Sequence, residues 1–552
     1  MISPLYRVLQ DLLDILRLNE YRVMARLSQD GVPLMSILNA LILGGGALVA
    51  YLMYMWKQSR SVPDVPWPKV PGARPIIGND IGCIDNFTQI VEEWAGTYGK
   101  ETGIYEFVLF GIRFIVPCTE EKIKLIEKER PFNITRAPGL TRAVNSVGAD
   151  GLFSAEGAMW RKDRKMVAPS MNRKNVHDYL AMVKLVAQRL VKKWDCHATE
   201  GRAVSINKDI LASTLDITSL VAFSNDIDSL RTGSSILGNY LLRLFKAIFV
   251  RTLLPFPYYH IPIIGQYLDG AGFTRDRTLR YFTSLVEDHE ASPVLGDEEK
   301  KNFLAKLVAL RKKDSTTLTH KRLVGNLITM FFAGGETTFV TICSALYEIA
   351  MDRTNLQNDL AEEALLLNGF DEAGLEELTN GLPRLRSMIY ETLRIRGPTP
   401  LLDTATTTKF ELDGCVLPPN TRILLIGRFI STLDSKDGTV GTPRGPLNAS
   451  PAEFCARRWL SSNGDASDEK VTVATPSFRT GYRAFGSGKR VCPGRDLAET
   501  ETLVILASIL RSFEISLEEG HPPMTLVSRF TQSPDIDIRL VLKPRLKPMY
   551  AK

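Results

Sequence analysis

From residue 76 onward, apolar positions recur mainly at helical spacing, interrupted by two runs that alternate as strands do. The run 105–116 turns at Phe110-Gly111 and the run 409–426 turns at Asp413-Gly414, so each predicts a β-hairpin. The longest helical pattern covers roughly residues 321–351. Another follows residue 495, where Leu497, Ala498, Leu503, Val504, Leu506, Ala507 and Leu510 share one apolar face. The pattern predicts a mainly α chain with small β-sheets, an α+β fold, and it has no repeat at a fixed period. Residues 461–470 are a polar run that reads as a surface insertion.

The N-terminal pattern is different in kind. No charged residue stands between Asp30 and Lys57, and residues 34–56 are apolar. At ~1.5 Å per residue such a helix covers the ~30 Å hydrocarbon core of a bilayer. Residues 31–56 therefore read as a transmembrane anchor, although Asn39 and Gly44-Gly45-Gly46 leave a buried core helix open. Residues 1–30, with Leu5, Leu9, Leu12 and Leu16 at helical spacing, read as an amphipathic leader. Pro63, Pro66, Pro68, Pro71 and Pro75 make residues 57–75 a stiff linker, leaving 76–552 as one large body. The balance of Arg17, Arg22 and Arg26 against Lys57, Arg60, Lys69 and Arg74 slightly favours a body that faces the cytosol.

Composition narrows the function. Hydrophobic residues at 44% and charged residues at 24% of 552 exclude a disordered or collagen-like chain. A formal charge of +6 with no basic block excludes a nucleic-acid binder. The seven cysteines are odd in number and scattered, without a C-x-x-C pair, which argues against a disulfide scaffold and a zinc ribbon. One of them stands apart. Residues 485–494 read F-G-S-G-K-R-V-C-P-G and place Cys492 in a glycine-rich loop just before a helix. Loop N–H groups and the helix N-terminus both favour a thiolate, which is a strong axial donor to haem iron. Arg483 and Arg490 break the Walker loop pattern, and Val491 breaks the dinucleotide fingerprint.

Phe485, Gly488, Arg490, Cys492 and Gly494 resemble, at every fixed position, the haem-binding pattern of the cytochrome P-450 family, here of the membrane-anchored eukaryotic type. The resemblance implies the P-450 fold, one haem domain behind an anchor, and haem b (iron protoporphyrin IX) as cofactor. It implies that Cys492 ligates the iron, Phe485 shields the sulfur, Arg490 pairs with a propionate, and Gly494 lets the next helix approach the porphyrin. Residues 333–338, A-G-G-E-T-T, resemble the oxygen-activation segment, with the Thr337 hydroxyl bonding dioxygen and Glu336 relaying protons. Two adjacent glycines there cost roughly 1 kcal/mol each in a helix, which points to local distortion or close approach of a ligand. Glu391 and Arg394 at i and i+3, with Arg458, resemble the buried ion-pair network that supports the haem-side core. Trp160 and Arg164 resemble the pair that bonds haem propionates. The chain departs from the family at Ala456, where Pro is usual, and at Thr404, where an Arg usually reaches a propionate. With Asp403 alongside, that contact is expected to be missing, and Trp160, Arg164 and Arg490 are expected to hold the haem alone.

The activity implied is insertion of one oxygen atom from O2 into a lipophilic small molecule, by hydroxylation or epoxidation, as in lipid or secondary metabolism. Electrons would come from NADPH through a separate flavoprotein reductase, with cytochrome b5 as a further partner and basic groups such as Lys489 as contacts. The implied location is single-pass in the endoplasmic reticulum membrane. A haem-thiolate isomerase or dehydratase without reductase, and a non-catalytic haem-binding protein, are the rivals; the Glu336-Thr337 pair argues against both. Residues 136–147 and Phe331-Phe332 are expected to line the substrate pocket, and the apolar loop 253–264 reads as dipping into the membrane or buried. Asn86, Asn133 and Asn448 begin glycosylation sequons that a cytosolic body would leave unmodified.

Overall fold

The computed structural model describes Gly46 and residues 65–545, apart from 75–77, 234–235, 254–256, 262–268, 292–301, 314–317, 352–354, 368, 434–441, 462–470 and 477–480. The leader, the anchor, the first part of the linker and the insertion at 462–470 lie outside the described residues. The second half of the proline segment is part of the folded body. Val65, Trp67 and Val70 are buried, and Val70 and Pro68 exchange backbone hydrogen bonds with Glu106 at 2.9 Å.

The first expected hairpin is β1 (Ile104–Leu109) with β2 (Ile112–Pro117). Phe110 at φ 50° and Gly111 at φ 72° take the two left-handed positions that such a tight turn requires. The sheet continues from β2 to β8 (Arg422–Ile426), β5 (Leu401–Thr406) and β3 (Ile134–Arg136), in the order β1-β2-β8-β5-β3. The second expected hairpin is shorter than the pattern indicates. Only β6 (Phe410–Leu412) and β7 (Cys415–Leu417) pair across Asp413-Gly414. Pro418-Pro419 and Asn420 at φ 65° then break the ladder and redirect 422–426 into the main sheet. A three-stranded sheet joins β4 (Val204–Ser205), the central β12 (Arg539–Pro544) and β9 (Phe513–Leu517). In β9, Phe513 and Ile515 point inward while Glu514 and Ser516 are exposed.

Helices supply the main core, and those used below are labelled in chain order: α1 (Gly157–Val167), α2 (Arg173–Thr199), α3 (Ile206–Phe223), α4 (Ile236–Leu253), α5 (His320–Ala350), α6 (Pro383–Arg396) and α7 (Arg495–Ser512). The 31-residue α5 is the central strut. The Thr319 side chain caps its start by accepting from the Arg322 N–H at 3.3 Å. Among the described residues it alone is long and apolar enough to cross a membrane, yet 78% of its apolar window is buried. Its length is that of a core helix, mostly buried and packed chiefly against α3.

The two glycines of α5 do not distort it; the helix runs unbroken through them. A Cβ on Gly335 would lie 2.5 Å from Leu215 Cδ2, and one on Gly334 would lie 2.7 Å from Thr218 Oγ1. The close approach that they permit is therefore that of α3.

Candidate functional site

Gly486 and Gly488, both at positive φ, curl the loop ahead of α7 so that the Cys492 N–H donates to the Phe485 carbonyl at 2.9 Å. Gly494 caps α7. A Cβ there would lie 3.8 Å from Met171 Sδ and 3.9 Å from Cys492 Sγ, which is ordinary contact, so bulk at 494 is not sterically forbidden by the protein. Cys492 is reachable by solvent, but protein atoms crowd it enough that burial raises its thiol pKa. The Gly494 N–H, Arg164 and Arg495 pull the other way without prevailing. The loop alone thus does not give the thiolate expected from the sequence; a coordinating metal deprotonates such a thiol outright. All seven cysteines are free thiols.

Around the loop stand the other residues singled out. Arg164 on α1 donates to the Val491 carbonyl at 2.7 Å, tying the helix to the cysteine loop rather than to a carboxylate. Trp160, one turn earlier, is buried with the Arg490 guanidinium 5.3 Å from its ring centre. Arg490 bonds Glu156 at 2.8 Å and the Phe153 carbonyl at 3.3 Å. The Phe485 ring carries Arg495 at 5.5 Å.

On α5, Ala333 is exposed and Gly334 and Thr337 are half-buried, an accessible strip in the middle of a helix whose neighbouring residues 330–332 and 338–347 are buried. Thr337 donates its hydroxyl to the Ala333 carbonyl at 2.7 Å. Glu336 points away from that strip into the protein, where burial raises its pKa to about 8 against the weaker effect of the Thr531 hydroxyl beside it. A second acid with the same character, missed in the sequence, is Glu501 on α7. It is buried, and its pKa is raised to about 8 despite the neighbouring Thr338 hydroxyl. The signal was available: Glu501 falls one turn after Leu497 on the apolar face of that helix, where a solvated acid has no place.

Glu391 on α6 accepts from Arg394 at 2.8 and 2.7 Å, from Arg458 at 2.9 Å and from the Cys455 N–H at 2.8 Å. The three ionised side chains are fully enclosed, and the remaining guanidinium N–H groups donate to carbonyls of residues 431 and 443–453.

Two further expectations divide. Phe332 meets the Phe245 ring at 5.1 Å, and Phe245 stacks at 5.1 Å on Phe530, which in turn meets Phe153 at 5.8 Å. Phe331 turns the other way, into the core beside Phe282 at 5.6 Å, and does not join that aromatic row. In the loop 253–264, Tyr258 and Tyr259 are buried, and the Tyr258 hydroxyl donates to Asp269 at 2.6 Å, so its aromatic tip faces the protein rather than a lipid phase. Residues 254–256 and 262–264 of the loop lie outside the described ones.

The residues present fit an iron porphyrin bearing two propionates. The loop offers a sulfur donor, α5 an accessible strip, and Arg130 Nε and Nη2, Arg136 Nε and Arg490 Nε are buried without a hydrogen-bond partner among the described residues. Such orphaned donors are costly unless an acceptor arrives.

Comparison with known proteins agrees. The family described as Cytochrome P450 matches residues 68–538. The chain is similar to protein LUTEIN DEFICIENT 5, chloroplastic, of Arabidopsis thaliana, 24% identical over 90% of this chain and 80% of that protein. It is also similar to geraniol 8-hydroxylase of Swertia mussotii, 23% identical over 86% of this chain and 91% of that protein. The crystal structure of a cytochrome P450 (CYP102L1) shares the fold at TM-score 0.69 and 19% identity, covering 87% of this chain and 99% of its own.

Proposed function

Because the chain belongs to the cytochrome P450 family and is therefore a haem-thiolate monooxygenase, we propose that it inserts one oxygen atom of O2 into a lipophilic small molecule. Its electrons come from NADPH through a separate flavoprotein reductase. When bound, a haem held by Cys492 would supply the dioxygen chemistry.

The chain's own residues position and supply protons. Trp160 and Arg490, with Arg164 bracing the loop, would hold the cofactor's acidic edge. Thr337 keeps a hydroxyl at the accessible strip of α5, able to give up its bond to Ala333 and donate outward. Glu336, whose burial raises its pKa to about 8, is the next residue in sequence but faces inward, and would pass a proton to the strip only on turning toward it. A buried carboxyl with a pKa near working pH suits general acid work. The observation that carries the reading is the junction of the Cys492 loop with buried, partnerless guanidinium donors beside it.

Surface and sequence also support a reading of partner and place. Arg161, Lys162, Lys165 and Lys489 are exposed on α1 and the cysteine loop. Arg161 and Lys489 share the Phe132 ring at 4.9 and 5.3 Å. This basic face suits an acidic reductase, and cytochrome b5 would use the same face. Residues 31–56 would anchor the body to the endoplasmic reticulum membrane, with the leader 1–30 alongside.

A carbon monoxide difference spectrum of the reduced full chain, combined with substrate-dependent NADPH consumption in the presence of reductase, tests the reading. A thiolate-type Soret band with NADPH use is expected. Turnover of a peroxide without reductase would instead favour an isomerase or dehydratase.

A further inference from the structure

Residues 528–532 connect β10 (Leu526–Val527) to β11 (Ser533–Pro534), a two-stranded ribbon whose second strand packs against α5. Both ends of this loop are tied to one neighbouring helix, Phe87–Tyr98. At the first end the Ser528 hydroxyl accepts from the Thr88 N–H at 3.0 Å and donates to the Thr88 hydroxyl at 2.9 Å. At the other, Arg428 donates to Gln532 at 2.7 Å and to Glu92 at 2.9 Å, while the Gln532 N–H donates to the Pro398 carbonyl at 2.8 Å. Between the two ends, Phe530 is stacked on Phe245. A loop held at three places leaves its remaining buried side chain, Thr531, little freedom of direction.

That side chain stands beside Glu336. Both are buried, Thr531 at 6% and Glu336 at 3% exposure. The hydroxyl lies near enough to weigh on the acid, yet Thr531 Oγ1 and Glu336 Oε2 each stop short of a completed hydrogen bond among the described residues. Two orphaned polar atoms in an enclosed place cost free energy that one shared hydrogen bond recovers. Such a bond forms in either charge state, with the hydroxyl donating to a carboxylate or accepting from a carboxyl. The charged groups of the packed elements are engaged elsewhere. Asp216 on α3 accepts from the N–H groups of Ser229 and Leu230 at 2.8 and 3.0 Å, Glu501 on α7 faces Thr338, and Arg529 on the loop is paired with Asp85 at the surface. The influences on Glu336 are its burial and this one hydroxyl.

We propose that Thr531 is the positioning residue of Glu336: the pinned loop 528–532 holds the carboxyl inward through the Thr531 hydroxyl, and the acid reaches the accessible strip of α5 only by leaving that contact. The proposal rests on the haem-thiolate reading above, which gives Glu336 its proton to supply, and adds the residue that decides where the acid rests.

The test is infrared difference spectroscopy of the haem-loaded full chain from about pH 5 to 10, following the C=O stretch of a protonated carboxyl that disappears in Glu336→Gln. Thr531→Val keeps the shape of the side chain and removes the hydroxyl. The band is expected to move to higher frequency and its titration midpoint to rise by about one pH unit, because a charge-assisted bond to the carboxylate is lost. Thr531→Ala is expected to show both shifts, so a valine variant that fails to fold leaves the question decidable. Thr531→Ser keeps the hydroxyl and is expected to keep the wild-type band and midpoint. An unmoved band and midpoint in the valine and alanine variants overturn the proposal, since a side chain that only fills space would leave the carboxyl as it was. With reductase present, Thr531→Val is expected to carry the upper limb of the pH profile of NADPH consumption upward with the midpoint. A movement of that limb that persists in the Glu336→Gln background overturns the proposal as well, because Thr531 would then act without the acid. A wild-type chain that gives no thiolate-type spectrum sinks the haem-thiolate reading itself, and the infrared shift still decides whether Thr531 holds Glu336.

Discussion

Arg458 donates from Nε to Glu391 Oε1 at 2.9 Å in a place where neither side chain touches solvent. The two are 67 positions apart in the chain, and the bond fastens the segment 443–459 against α6.

Breaking that bond leaves an enclosed carboxylate facing one arginine in place of two. Arg458→Met is expected to destabilise the fold by about 3–5 kcal/mol, the usual cost of stranding a buried charge. Urea unfolding followed by circular dichroism measures it, and a variant of wild-type stability would contradict the network's structural role.

Cys492 differs from its six companions in what its loss does. Cys492→Ser is expected to abolish the thiolate-type carbon monoxide spectrum while the folded circular dichroism signal persists. Cys343 and Cys455 are buried thiols of the core, and Cys343→Ala and Cys455→Ala are expected to leave that spectrum in place.

The two buried acids set a pH dependence with a definite sign. Glu336 and Glu501 have folded pKa values of about 8, above the ~4.3 of an unfolded glutamate. The unfolded chain therefore gives up these protons first. Their contribution to stability is full below about pH 4.3 and is lost as pH rises through about 8. Glu336→Gln and Glu501→Gln are each expected to flatten the decline between about pH 4.3 and 8 in urea titrations. Glu336→Gln should also lower turnover with reductase by at least about a hundredfold, the scale of a lost general acid. Unchanged turnover would remove Glu336 from the proton path.

Gly335 faces Leu215 Cδ2 at a distance that no Cβ can share. Gly335→Ala is expected to cost about 1–3 kcal/mol through overpacking between α3 and α5. A thermal melt at or above the wild-type midpoint would show that α3 yields instead.

Local features were legible in the sequence. The turn at Phe110-Gly111, the cysteine loop, the long apolar helix and the i, i+3 pair of Glu391 and Arg394 each depend on residues within a few positions, so a linear reading finds them. Features made by tertiary contact were not. Gly334 and Gly335 read as room for a ligand, because nothing in the sequence says that α3 packs there. Glu501 lies on an apolar helix face whose burial is set only by the elements packed over α7. The thiol of Cys492 was read from its loop and helix end alone, whereas the crowd of surrounding protein decides the direction.

The three-stranded sheet has a consequence for synthesis. Its first strand ends at Ser205, whose hydroxyl donates to Asp537, 332 positions later, beside a central strand that is nearly the last described segment of the chain. At ~5–20 residues per second of translation, a ribosome needs roughly 15–70 s to bring the partner out. Throughout that interval β4 stands as an open edge, and the face of α2 that α7 will cover remains bare. The body cannot close domain-first as it emerges. A nascent chain stalled before residue 539 is the form in which this protein most needs a chaperone, and truncations at the C-terminal end should aggregate rather than fold short.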